Sequence, residues 1–253
     1  MVRILLQHIL KFLARCMLRR HKPRVVAITG TVGKTSARDA VALALAARYR
    51  VRKSEKNYNN ELGVPLTILG VESGGGSTVG WAFALAKAVW QTIFYPDYPE
   101  VLVLEFGIDK PGDMAYLIGI TQLDAAVITA LGDIPVHVEN FGAPEKLWEE
   151  KLGIARGIKP GGTLFYNADD SILATRARTA FAKVVSYGVT DAARVCAAEP
   201  AYVTGAGNAP LGVRCKVTSD GVSVALEMPW LLSFAQLAAP LVGIAVGRAN
   251  ALP

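Results

Sequence analysis

The stretch RVVAITGTVGKTSARD, Arg24–Asp39, decides the fold. Val25-Val26-Ala27-Ile28 is a short apolar strand, and the residues after Gly33 open a helix. Between them stands Thr29-Gly30-Thr31-Val32-Gly33-Lys34-Thr35-Ser36. Gly30 and Gly33 let the backbone curl with its N–H groups inward, where they cradle phosphate oxygens. The following helix adds the positive end of its dipole to the same point. Lys34 reaches the outer phosphates as a point charge, and Thr35 offers a hydroxyl to magnesium. A full P-loop carries another glycine five residues before Gly33, where this chain has Ile28. The pattern is the compressed form T-G-T-x-G-K-T-S, and it predicts a nucleotide-phosphate site.

The 253 residues suffice for one large or two small domains with a buried core. An excess of 27 Lys and Arg over 21 Asp and Glu suits anionic ligands. No basic patch is interleaved with aromatic residues, so nucleic acid is not an expected partner. Cys16, Cys196 and Cys215 have neither CxxC nor metal spacing and read as reduced thiols of a cytoplasmic protein. His8 and His21 fall early and leave only His137 elsewhere, which argues against a His/Cys metal centre.

Residues 1–22 form an amphipathic helix segment. Arg3, Gln7, Lys11, Arg15 and Arg19 recur every four residues, while Leu6, Leu10, Leu13 and Met17 fill another face. Charge interrupts it too often for a bilayer span, and it lacks the cleavage site of a signal peptide. Two readings stand: a helix packed on the following domain, or one lying peripherally at the inner membrane face through residues 2–20. Ala37–Arg48 is a second helix, and Lys53–Gly70 is polar and asparagine-rich before an apolar run. Trp81–Tyr95 reads as a core helix, because Lys87 and Gln91 break it as a membrane span and Pro96 stops it.

Val101–Glu105 is a continuous apolar strand closed by an acid. In open parallel sheets ligands sit outside the carboxyl ends of the strands, so Glu105 is placed beside the glycine loop. An acid there holds magnesium; a helix-capping or salt-bridging glutamate is the alternative. Ala125–Ala130, Thr163–Tyr166 and Val184–Gly188 are further buried strands, with Asn167-Ala168-Asp169-Asp170 at a carboxyl end. Ala143–Gly157 is helical, and Leu147, Lys151 and Ile154 share its apolar side, which points Lys151 inward. From Val195 to Leu226 short runs separated by turns predict antiparallel hairpins, and Leu231–Gly247 a last core helix. The predicted fold is α/β: a P-loop-containing, mostly parallel sheet flanked by helices, with a small antiparallel annex at about residues 190–230.

Five segments, ITGTVGKTS, NNELGVPLTIL, LVLEFGIDKPGDM, PVHVENFGAPEKLWEEK and NADD, occur in an order that resembles the central ATP-binding domain of the Mur ligases. The resemblance covers residues 23–253, most specifically Pro23 to Gly188. It implies an ATP-dependent peptide ligase of peptidoglycan precursor synthesis. In that chemistry a UDP-N-acetylmuramoyl-peptide carboxylate becomes an acyl phosphate, which D-alanyl-D-alanine then attacks. By resemblance the loop Thr29–Ser36, with Lys34, holds the ATP phosphates. Thr35 and Glu105 hold one Mg2+, and His137 sits at a second. Lys151 matches the lysine that the family carbamylates. Asn59 and Asn60 match the segment near the transferred phosphoryl group and substrate, and Asn167 and Asp170 match one lining the nucleotide. The family's N-terminal UDP-sugar domain and C-terminal ligase domain are expected to be absent. The chain then reads as a truncated catalytic core, or as one working with a separate C-terminal-domain partner. The alternative is a nucleotide-binding module without ligase activity of its own. Ser233-Phe234-Ala235-Gln236 stands where the family has a Gly-His-Asn approach to its final helix.

Overall fold

The computed structural model describes residues 2–55, 57–132, 138–181, 183–205, 209–229 and 231–249. β1 (Arg24–Thr29) is buried at every position after Arg24, because both of its faces meet helices, and so its apolar run does not alternate. It pairs in parallel with β3 (Val101–Glu105) on one side and β4 (Leu123–Ile128) on the other. β2 (Val51–Lys53) lies outside β3, and β5 (Ile158–Asn167) and β6 (Val184–Gly188) follow β4, all parallel. β7 (Val195–Thr204) joins β6 in parallel through two residue pairs, Tyr187 with Val195 and Gly188 with Cys196. β8 (Pro210–Ser219) and β9 (Val222–Pro229) then run antiparallel. The order is β2-β3-β1-β4-β5-β6-β7-β8-β9, so the antiparallel strands extend the parallel sheet without a break. Asp220 and Gly221, with φ of 50° and 79°, form the turn between β8 and β9, both left-handed as a tight hairpin requires.

Alternate residues of the strands feed two separate cores. Val26, Ile28, Val103 and Val127 pack with α2 (Lys34–Ala46) and α8 (Ala238–Ala249). Val25, Ala27, Leu102 and Ala126 pack on the opposite face. That face is covered by α1 (Val2–His21), α3 (Gly63–Leu69), α5 (Asp113–Ile118), α6 (Pro144–Leu152) and α7 (Ser171–Ala180), with α4 (Thr78–Phe94) at its margin. The expected helix over 231–247 is divided: a 3-10 turn at Phe234–Leu237 precedes α8. Pro240 lies in the first turn of α8, where a missing N–H costs nothing.

The N-terminal helix is packed, with Leu10, Ala14 and Met17 fully buried against the sheet's helical layer. Most of its four-residue polar series also faces protein. Arg3 and Gln7 both reach Glu61 Oε1, at 3.1 and 3.0 Å. Lys11 lies 4.0 Å from the Tyr116 ring centroid, and Arg15 donates to the Gly119 carbonyl. α4 corrects the core placement expected for Trp81–Tyr95. Only Ala84 and Ala88 are buried, one turn apart on a narrow small-residue stripe. Phe83, Trp90, Ile93 and Phe94 face outward, each more than half exposed. No helix among the described residues is long and apolar enough to cross a membrane.

Leu10→Ala and Met17→Ala should each lower stability by about 2–5 kcal/mol, the range for emptying a well-packed site. Urea unfolding measures this; losses below about 1 kcal/mol for both would contradict a packed α1.

Candidate functional site

β1 delivers the chain to the carboxyl end of the sheet, and Ile28 there stands in register with Glu105 and with Val127. The glycine loop that follows is tied to the end of β4. Thr31 N donates to the Ala130 carbonyl (2.8 Å), and Thr129 Oγ1 donates to the Val32 carbonyl (2.5 Å). A Cβ on Gly30, whose φ is 146°, would fall 2.1 Å from Thr129 Oγ1, so no other residue fits without displacing the loop. Gly33, at φ 79°, turns the chain into α2. α2 begins with no side-chain cap and no acid in its first turn. Its first N–H groups and dipole are therefore open to an anion.

Three charged side chains converge on this loop. Lys34 Nζ donates to the Gly30 and Thr31 carbonyls at 2.9 and 3.2 Å. Burial lowers its pKa, outweighing the opposite pull of Glu105 and Asp109. Glu105 is almost wholly buried at the end of β3. Its Oε2 accepts from Thr35 Oγ1 at 3.2 Å and Arg38 Nη1 at 3.4 Å, and its Oε1 from Asn59 Nδ2 at 3.2 Å. Lys151 comes from α6 with only 3 % of its surface exposed, alongside fully buried Leu147 and Ile154. Its Nζ donates to Thr31 Oγ1 at 3.0 Å. Burial, then the charge of Lys34, pushes its pKa down to about 8.

The remaining expected residues divide. Asn59 stands at the site on Glu105, whereas Asn60 Oδ1 accepts from Leu62 N and Gly63 N and shapes the start of α3. Asp170 caps α7 through Leu173 N, and its other oxygen accepts from Leu131 N and Gly132 N. Both carboxylate oxygens of Asp170 are thus occupied by backbone. Asn167 lines a groove of about 660 Å³ that leads away from Val32, Gly33 and Ser36, with Asp169, Tyr187 and Phe234 on its walls. His137 lies outside the described residues. Arg38 and Thr129 escaped the sequence reading. Arg38 had a signal, since it follows Thr35 by three positions on one helix and so shares its face toward Glu105. Thr129 had none, being one threonine beyond a buried strand.

The Thr35 hydroxyl and the Glu105 carboxylate, adjacent at the phosphate loop, are the hard oxygen donors that Mg2+ accepts. With phosphate oxygens completing the shell, these residues fit one such ion. The fold and the loop define a P-loop nucleotide-binding α/β domain.

Residues 86–229 match the model of the Mur ligase middle domain, and the chain belongs to that family. It is 33% identical over 164 residues to UDP-N-acetylmuramoyl-tripeptide–D-alanyl-D-alanine ligase of Bacillus subtilis, covering 65% of this chain and 30% of that protein. The Mycobacterium bovis protein of the same name is 29% identical over 204 residues, or 78% of this chain and 35% of that one. Among solved structures, the MurF ligase of Thermotoga maritima in complex with ADP superposes with a TM-score of 0.76 at 22% identity, covering 97% of this chain and 49% of that chain. MurF of Acinetobacter baumannii gives 0.75 at 20%, covering 96% and 46%. The fold is therefore shared, and the chain spans about a third of the length of the curated relatives it matches.

The depressed Lys151 pKa carries a stability signature. Its unfolded value is 10.5 and its folded value about 8, so between them the unfolded chain holds the extra proton and stability rises with pH. Lys151→Met keeps the side-chain length and removes the charge. Relative to this variant, the wild type should gain stability from about pH 8 to pH 10.5 in urea unfolding. A pH-independent difference would show that the Lys151 ammonium is not buried at a cost.

Proposed function

We propose that the chain binds ATP at Thr29–Ser36 and forms the nucleotide-handling core of an amide ligase of peptidoglycan precursor synthesis. The observation that carries this reading is Thr35 and Glu105 in contact beside Lys34 and Lys151 on one phosphate loop. The names of the relatives supply the substrates, a UDP-N-acetylmuramoyl-tripeptide and D-alanyl-D-alanine. The ADP complex of the Thermotoga maritima protein supports a nucleotide in this loop.

A carboxylate is a poor electrophile. In the proposed reaction its oxygen attacks the γ-phosphorus of ATP, the bond to ADP breaks, and an acyl phosphate results. The amine then attacks the acyl carbon, loses a proton, and phosphate leaves. Such transfer depends on charge neutralisation and positioning more than on acid–base groups. Lys34 would exchange its two loop carbonyls for phosphate oxygens, and the open N-terminus of α2 would face the same oxygens. Thr35 and Glu105 would hold Mg2+, which neutralises phosphate charge when bound. A lysine with its pKa near 8 exposes the neutral amine that carbon dioxide requires, and we assign Lys151 as the site of a carbamate. Asn59 would orient Glu105, and the Asn167 groove would take the nucleoside side. His137 as a second-metal group stays part of the proposal.

Titration calorimetry with a non-hydrolysable ATP analogue and Mg2+ should show binding that Lys34→Ala abolishes; equal binding by the variant would refute the loop assignment. Crystals grown in bicarbonate should show a carboxyl group on Lys151 Nζ, and a bare amine there would refute the carbamate. Nucleotide binding without turnover of the two named substrates would leave the second reading, a nucleotide-binding module.

A further inference from the structure

α1 and α4 lie side by side and leave a shared apolar surface uncovered. Leu5 and Phe12 project from α1, and Phe83, Trp90, Ile93 and Phe94 from α4, each more than half exposed. Ile9 joins the two sets in a hollow of about 520 Å³ whose other walls come from α4, Trp90 and Phe94 included. The Trp90 and Phe94 rings meet with centroids 4.3 Å apart and planes tilted by 40°, forming an aromatic ridge. Scattered apolar side chains on a surface need no explanation, but a continuous patch across two helices does.

We propose that this surface seats the chain on a membrane that contains anionic phospholipid. Charge selects that occupant. Neither α1 nor α4 contains an Asp or Glu, while α1 carries Arg3, Lys11, Arg15, Arg19 and Arg20 and α4 carries Lys87. Arg19 and Lys87 make no ion pair among the described residues. Beyond Phe12 along the outward side of α1, Arg19 and Lys22 line a hollow of about 600 Å³, in which Arg15 is held by the Gly119 carbonyl and Lys159 by Asp124. An apolar ridge for the acyl boundary bordered by cations for headgroup phosphates is the composition of an interfacial helix pair. Trp90 suits that depth, having an apolar body and a polar edge. Since no described helix is long and apolar enough to span, the pair would lie in the plane of the interface. A second copy is a poorer occupant, because a two-fold contact would set the same cations against themselves. The face differs from the Arg3–Gln7–Lys11–Arg15 series that the sequence offered, most of which is spent on Glu61, Tyr116 and Gly119.

The test is co-sedimentation of the full chain with vesicles of phosphatidylcholine, with and without phosphatidylglycerol. Binding should require phosphatidylglycerol and weaken as salt is added. Trp90→Ser with Phe94→Ser should lower partitioning by at least about tenfold. Arg19→Glu with Lys87→Glu should lower it by about fivefold for each charge removed. All four side chains are exposed, so unchanged thermal midpoints and unchanged affinity for the ATP analogue confirm intact folding. No binding to either vesicle overturns the proposal, as does binding that neither variant weakens. Self-association in the ultracentrifuge that the Trp90/Phe94 variant abolishes, without vesicle binding, overturns it in favour of a second copy.

Discussion

The Glu105 carboxylate is the contact on which the site depends. A carboxylate with 5 % of its side chain exposed, facing an arginine with 6 %, is stable only if its oxygens are well supplied with donors. Those donors are Thr35 and Arg38 from α2 and Asn59 from the asparagine run, while the Ser54 hydroxyl accepts the Glu105 backbone N–H. Removing one partner from a buried pair of this kind typically costs about 3–5 kcal/mol. The same carboxylate therefore fixes where α2 begins relative to β3. The mouth of the phosphate loop takes its position from that relation.

Around this anion the loop is built for a second one. Lys34 and Lys151 are both held on it at the expense of their charged forms. Their hydrogen bonds go to two carbonyls and one hydroxyl, partners weaker than phosphate oxygens. Little needs to move when a phosphate arrives, because Thr129 already clamps Val32 and Gly30 has no side chain to displace. Electrostatic work of this kind is most effective when the dipoles are set in advance.

Much of this was legible in the residues, for identifiable reasons. A glycine loop between an apolar strand and a helix, and an acid closing a second such strand, are local patterns whose geometry follows from strand direction alone. Lys151 was legible because helical spacing from Leu147 to Ile154 puts it on the buried side. Asn60 and Asp170 were ambiguous because the atoms that would contact a ligand also satisfy helix N-termini, and here the helices have them. The exposure of α4 could not be read, since an apolar helix in sequence carries no record of which faces are covered. Nor could the union of β7–β9 with the main sheet, which rests on two residue pairs next to a turn.

α8 closes the sheet's second face by packing on α2, with Gly243 so near the Ala40 carbonyl that a Cβ would fall 2.9 Å away. Ala40 and Gly243, which meet where the two helices pack, are 203 positions apart in the chain. During synthesis β1 and α2 emerge early, yet the cover that α8 gives Val41 and Leu45 arrives only after the strands of the sheet have left the ribosome. The phosphate loop at the start of α2 thus rests on a layer that only α8 completes. Loop-closure entropy on that scale favours slow, late consolidation, and nascent chains interrupted before α8 would be substrates for chaperones and proteases.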